Sequence, residues 1–194
     1  MRHAPRPEWR PARRTLLGAA ALAGLPRWAS AADVEPLLRE GGVVIAFRHA
    51  LAPGTFDPPE FRLGDCRTQR NLSDGGRAQA RRIGEWFESR GLKPARVRAS
   101  PWCRCMDTAT LAFGSAEPWE ALASPTGSAP AERSRRLAEL RSALERQPAG
   151  RLEVWVTHMF VLSDLVGEST VPGEGLVLAA ANGRVQVRGR ALLG

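Results

Sequence analysis

The stretch Gly42-Val43-Val44-Ile45-Ala46-Phe47-Arg48-His49 decides the fold. From Val43 to Phe47 it is apolar without alternation, has strand length, and follows a Gly-Gly pair. A strand apolar on both faces belongs in the middle of a parallel sheet covered by helices on both sides. The run stops abruptly at two polar residues, Arg48 and His49. A second buried-type strand, Leu152 to Thr157, stops at His158.

Working outward, a Pro-, Gly- and charge-rich loop from Ala52 to Arg70 leads into a helix. Ser73 is its N-cap, and Ile83, Trp86 and Phe87 recur at helical spacing up to Gly91. Ala95 to Ala99 reads as a further strand, followed by a helix from Pro101, placed at its first position, to about Phe113, closed by Gly114. Residues 114–130 read as a surface loop around a short strand near Trp119 to Leu122. Leu137, Leu140 and Leu144 mark one face of an amphipathic helix with a charged outer face. After His158 come a short helix from about Phe160 to Val166 and two strands, Gly175 to Ala181 and Arg184 to Arg188, around Asn182-Gly183. Alternating strands and helices predict an α/β three-layer sandwich with a largely parallel sheet. A length of 194 residues suits one such domain.

Residues 1–31 read as an export signal: a basic region ending at Arg13-Arg14, an apolar stretch from Leu16 to Leu25, Pro26, and small residues Ala29-Ser30-Ala31. The paired arginines before Thr15-Leu16-Leu17 resemble a twin-arginine signal. The apolar stretch is too short to span a bilayer, so no stable membrane span is expected. Residues 32–194 form the predicted mature domain, in the periplasm or otherwise outside the bacterial cytoplasm. The formal charge of the chain is +8, but the leader takes six arginines and one acid, leaving 22 basic and 19 acidic residues. The rest has no basic run interleaved with aromatics, which argues against a nucleic-acid partner.

Cys66, Cys103 and Cys105 all lie in the mature part, where an oxidising compartment lets disulfides persist. The expectation is one bridge, from Cys66 to Cys103 or to Cys105, tying loops near the strand ends. Their spacing offers no zinc pattern, and no cofactor or metal is expected.

His49 and His158 are the two histidines of the mature part, and each directly follows a strongly apolar strand. Ligands of open α/β sheets bind beyond the carboxyl ends of the strands, so two strand-terminal histidines face one crevice. Arg48 adjoins the first, and Arg104 stands at the start of the helix after the next strand. Arginine forks bind phosphate oxygens in pairs and keep their charge, and helix N-terminal amides near Ser100 to Trp102 add to an anion site. For Arg67, Arg70, Arg81 and Arg82 the expectation is a surface or ion-pair role.

Four motifs in order resemble the histidine phosphatase superfamily over residues 42–165. Phe47-Arg48-His49-Ala50 is similar to its Arg-His-Gly signature, and Leu72-Ser73-x-x-Gly76-x-x-Gln79-Ala80 to its following helix motif. Ser100-Pro101-x-x-Arg104-x-x-x-Thr108-Ala109 resembles the second-arginine motif, and Val156-Thr157-His158 the second-histidine strand. The resemblance implies a phosphoglycerate mutase-like fold. It also implies His49 as the phosphorylated nucleophile, Arg48, Arg104 and His158 as phosphate ligands, and no metal. It runs toward compact exported phosphatases, including those similar to lipopolysaccharide core heptose-phosphate phosphatases. Ala50 stands in place of the usual glycine, Met159 follows His158 where phytase-like members have Asp, and Leu122-Ala123-Ser124 offers no glutamate at the family's offset.

A leaving alkoxide needs a proton. Glu174 is the first candidate donor, with Asp57, Glu60 and Asp65 as rivals. The expected function is a phosphomonoesterase working through a phosphohistidine on His49. Its expected substrate is a phosphorylated sugar or glycolipid met by Arg62, Arg67 and Arg70. The alternatives are a degenerate phosphate- or phosphosugar-binding protein of the cell envelope and a phosphomutase.

Overall fold

The computed structural model describes Met1 and residues 31–193. The leader expected over residues 1–31 therefore lies, apart from its two ends, outside the described residues. The chain forms α1 (Ala31–Glu40), β1 (Val43–Arg48), α2 (Asp74–Glu88), β2 (Arg96–Ala99), α3 (Cys103–Phe113), β3 (Glu117–Pro118), α4 (Pro130–Glu145), β4 (Leu152–Thr157), α5 (Met159–Val166), β5 (Glu174–Ala181) and β6 (Arg184–Leu192).

These strands make one six-stranded sheet in the order β3-β2-β4-β1-β5-β6. β3, β2, β4 and β1 pair in parallel, β5 runs antiparallel to β1, and β6 antiparallel to β5, so five of the six strands share a direction. β1 and β4 hold the centre, and the apolar runs that announced them are buried along their lengths. One face of the sheet packs against Val34 and Leu38 of α1, Ile83 and Phe87 of α2, and Cys105 and Ala109 of α3. The other packs against Leu140 and Leu144 of α4 and Val161, Leu162 and Leu165 of α5. The three-layer α/β sandwich is thus the observed fold. Among the described residues no helix is long and apolar enough to cross a membrane.

Ser73 caps α2 as expected, its hydroxyl accepting from the Gly76 amide. Gly114 closes α3 with φ +80°. Asn182 (φ +53°) and Gly183 (φ +70°) make the β5–β6 turn with two left-handed residues, the geometry that matches the twist of a hairpin. Three local readings are corrected. α3 begins at Cys103, so Pro101 precedes the helix and Trp102 is its cap residue. The short strand lies at Glu117–Pro118, and Glu120–Leu122 is a 3-10 turn that buries Ala121 and Leu122. α1 was not foreseen; Pro36 lies inside it and breaks its sequence signature.

Candidate active site

β1 and β4 are adjacent and in register, with Arg48 opposite Thr157, so the next residue of each strand, His49 and His158, emerges at the same carboxyl edge. The His49 amide donates to Thr157 O at 2.9 Å, and the two imidazole centroids are 5.7 Å apart. β2 also ends there: the Ser100 amide donates to Val156 O at 2.9 Å. Arg48, His49, Asp57, Arg70, Arg104 and His158 line one cavity of about 210 Å³. Sequence reasoning placed Arg48, His49, Arg104 and His158 together, and the structure brings them together.

The helix motifs explain how the histidine loop is fixed. Leu51 donates to Gln79 Oε1 at 3.0 Å, Gln79 Nε2 donates to Pro172 O at 3.0 Å, and Ser73 donates to Leu51 O at 3.1 Å. Gly76 packs so closely that a Cβ there would stand 2.0 Å from Leu51 O. Ala50 donates to Thr108 Oγ1 at 3.0 Å, which ties the loop to α3. Ala50 is fully buried and absent from the residues with positive φ, so the methyl group in place of a glycine causes no backbone strain.

Tautomers follow from the partners. His49 Nδ1 lies 2.8 Å from Ala50 O, an acceptor, so Nδ1 carries the proton and Nε2 keeps its lone pair. Arg70 Nη2, which can only donate, lies 3.3 Å from that Nε2. Arg104 Nη2 likewise lies 3.3 Å from His158 Nδ1, so His158 is protonated on Nε2, 2.8 Å from Ser100 Oγ. Burial pulls the His49 pKa down to about 3, with Arg104, Arg70 and Arg48 adding repulsion. His158 is lowered well below its ordinary value for the same reasons, burial first and Arg104 next. Both imidazoles are neutral at neutral pH.

Positive charge in the cavity therefore comes from three guanidinium groups. Arg48 Nη1 is anchored on Thr170 O at 2.7 Å, and Arg70 Nη1 on Ala52 O at 2.6 Å. Arg104, 3% exposed, pairs with Asp57 at 2.8 Å. Each of the three has a buried Nε with no hydrogen-bond partner among the described residues. Three guanidinium groups around one cavity make a place for an anion. Asp57 offsets one of the three charges, leaving a net excess suited to a dianion.

Several expectations change at this point. Arg70, expected on the surface, is half-buried in the cavity wall. Arg67 is exposed and bonded to Asp65, as expected, and neither it nor Arg62 lines the cavity. The amides near Ser100 to Trp102 are already bonded, Trp102 N to Ser100 Oγ and Cys103 N to Gln69 Oε1. Glu174 is not brought to the cavity: it is 1% exposed, accepts from Val171 N at 2.9 Å and pairs with Arg190 at 2.9 Å. Asp57, one of its rivals, is the carboxylate that lines the cavity, and it accepts from Arg104, from Trp102 Nε1 at 3.2 Å and from Arg70 N at 3.0 Å.

A disulfide joins Cys66 to Cys103, with Cα atoms 5.7 Å apart. The bridge fastens the loop that carries Asp57 and Arg70 to the first turn of α3, one residue from Arg104. Cys105 remains a buried thiol, its pKa pushed up to about 12 by burial. Among the described residues no group of three or more His, Cys, Asp or Glu side chains is placed to hold a metal ion.

No protein-family model and no curated protein matches the chain. Solved structures do. A protein histidine phosphatase SixA complexed with tungstate is 19% identical, with a TM-score of 0.54, covering 76% of this chain and 95% of that one. The YhfR protein of Bacillus stearothermophilus is 16% identical, with a TM-score of 0.58, over 75% and 95%. A mycobacterial glucosyl-3-phosphoglycerate phosphatase complexed with VO3 is 15% identical, with a TM-score of 0.56, over 75% and 96%. At these identities the likeness is one of fold, and the fold is the phosphoglycerate mutase-like α/β sandwich found in structures of the histidine phosphatase superfamily.

Proposed function

We propose that this chain is a phosphatase that passes a phosphoryl group through Nε2 of His49. The observation that carries the reading is the unprotonated Nε2 of His49, met by Arg70 at 3.3 Å in a cavity that Arg48 and Arg104 also line. A phosphoryl dianion bound there displaces Arg70 from Nε2 and accepts from the guanidinium groups. Nε2 then attacks phosphorus, the P–N bond forms as the ester P–O bond breaks, and the leaving oxygen takes the electron pair. The Nδ1–H held by Ala50 O stabilises the cationic ring of the phosphohistidine. Water attacks the phosphohistidine, releasing inorganic phosphate and neutral His49. Arg48, Arg70 and Arg104 hold the equatorial oxygens, and His158, its Nε2–H on Ser100 Oγ, steadies Arg104 through Nδ1.

Two structures that share the fold hold tungstate or VO3, tetrahedral or vanadate-type oxyanions, which supports an oxyanion in the corresponding cavity. The finer expectation of a phosphorylated sugar or glycolipid loses two of the three arginines it was built on, since Arg62 and Arg67 do not line the cavity. Location outside the cytoplasm is supported by the Cys66–Cys103 bridge and by the leader-like residues 1–31.

The test is an acid quench during turnover of a radiolabelled phosphomonoester. Label trapped on the protein and lost in His49→Ala is the expected result; full turnover by His49→Ala overturns the mechanism. Stoichiometric phosphate binding with no turnover of any phosphoryl donor would identify a binding protein instead.

A further inference from the structure

The phosphate end of the cavity is polar, but the wall beyond it is not. Phe56, Pro58, Phe61, Trp102, Met159 and Phe160 line the same space. Phe61 stacks on Trp102, with centroids 5.3 Å apart and planes 16° from parallel. Trp102 is fixed in turn by its indole N–H on Asp57 and by its edge against the His158 ring, 5.5 Å between centroids. Phe56 stands at the solvent edge, 66% exposed. An exposed phenylalanine beside a stacked pair at a cavity rim is a surface left for another flat apolar group.

The same cavity lacks a placed proton donor. Asp57 is its one carboxylate among the described residues, and both of its oxygens are already occupied as acceptors, Oδ1 by Arg104 and the Arg70 amide and Oδ2 by Trp102 Nε1. Another part of the wall presents the hydroxyls of Ser124 and Thr126, bonded to each other at 3.2 Å. A hydroxyl is far too weak an acid to protonate a leaving group in transit. The group that departs must therefore carry the electron pair away unaided.

We infer that the substrates are phosphoryl groups borne on a planar aromatic ring of low basicity, with the ring received between Phe56 and the Phe61–Trp102 stack. The inference rests on the proposed phosphatase reading and names its substrate class. In the first step the bond from phosphorus to the ring's oxygen or nitrogen breaks as the bond to His49 Nε2 forms. The pair stays on the ring heteroatom, and solvent supplies its proton. A phenolic ring and an imidazole ring both satisfy this chemistry.

The full chain is assayed on phenyl phosphate, phosphoimidazole, acetyl phosphate and glycerol phosphate, alongside Phe56→Ala, Phe61→Ala and His49→Ala. Acetyl phosphate needs no proton on departure but has no ring; glycerol phosphate needs a proton and has no ring. The expected order of kcat/KM places a ring-bearing donor at least tenfold above glycerol phosphate. Phe61→Ala and Phe56→Ala then raise KM for the ring-bearing donors about threefold to tenfold, the size of an aromatic pair contact, and leave acetyl phosphate unchanged. The two ring-bearing arms decide between phenolic and imidazole donors. Equal loss on acetyl phosphate in the phenylalanine variants, or glycerol phosphate turned over as fast as phenyl phosphate, overturns the inference while His49-dependent turnover survives. Turnover of all four that persists in His49→Ala, or none at all, overturns the phosphatase reading itself and this inference with it.

Discussion

Arg70 Nη2 caps the unprotonated Nε2 of His49 at 3.3 Å, although 21 residues separate the two. The contact keeps the lone pair from being buried unpaired, and on the proposed mechanism it sets a guanidinium beside the transferred oxygens. Arg70→Ala is expected to lower kcat/KM by about 10- to 100-fold, the range for a lost charged hydrogen bond of ~1.5–3 kcal/mol. Arg70→Lys restores charge without the fork and recovers part of the loss. Steady-state kinetics on a good phosphoryl donor check this; an Arg70→Ala enzyme with wild-type kcat/KM would return Arg70 to the surface role its sequence suggested.

The depressed histidine pKa values carry a stability signature. Above about pH 6.5 the imidazole is neutral in folded and unfolded chains alike. Between 6.5 and about 3, the folded value for His49, only the unfolded chain gains the proton. Stability must therefore fall as pH falls through that window, by up to ~1.4 kcal/mol per pH unit for this group. Urea midpoints measured from pH 7 to 4.5 should fall more steeply for the wild type than for His49→Gln. Parallel curves would show that His49 is protonated in the folded protein.

The Cys66–Cys103 bridge closes a loop across a sequence separation of 37 and holds Asp57, Phe61 and Arg70 against α3. Cys66→Ser with Cys103→Ser is expected to cost roughly 4 kcal/mol by the loop-entropy argument. Activity should fall by more than the unfolded fraction explains, because the loop supplies one wall of the cavity. Kinetics well below the unfolding midpoint, compared with denaturant midpoints, separate the two effects.

Glu174 is held by Val171 N and Arg190, outside the cavity. Glu174→Gln is expected to lower stability by about 2 kcal/mol and leave kcat unchanged on good and poor leaving groups alike. A selective loss on the poor leaving group would make Glu174 the proton donor after all.

The sequence by itself determined the central strands, because Val43–Phe47 is apolar on both faces and Leu152–Thr157 is apolar but for Glu153 and Thr157, a pattern that suits a covered parallel sheet. That in turn placed His49 and His158 at one edge, with Arg48 and Arg104 beside them. β3 and the 3-10 turn at Glu120–Leu122 were not legible, since two residues of strand leave no period to read. Tertiary structure alone decided which loop groups enter the cavity. Arg67 and Arg70 look alike in the chain, yet Arg67 bonds locally to Asp65 while Arg70 turns inward toward His49. That difference is made by long-range contacts, the Asp57–Arg104 pair and the Cys66–Cys103 bridge, which fold the loop from Ala52 to Arg70 back over α3. Glu174 followed the same rule in reverse. Its position in the chain suggested the crevice, and its burial against Arg190 took it away.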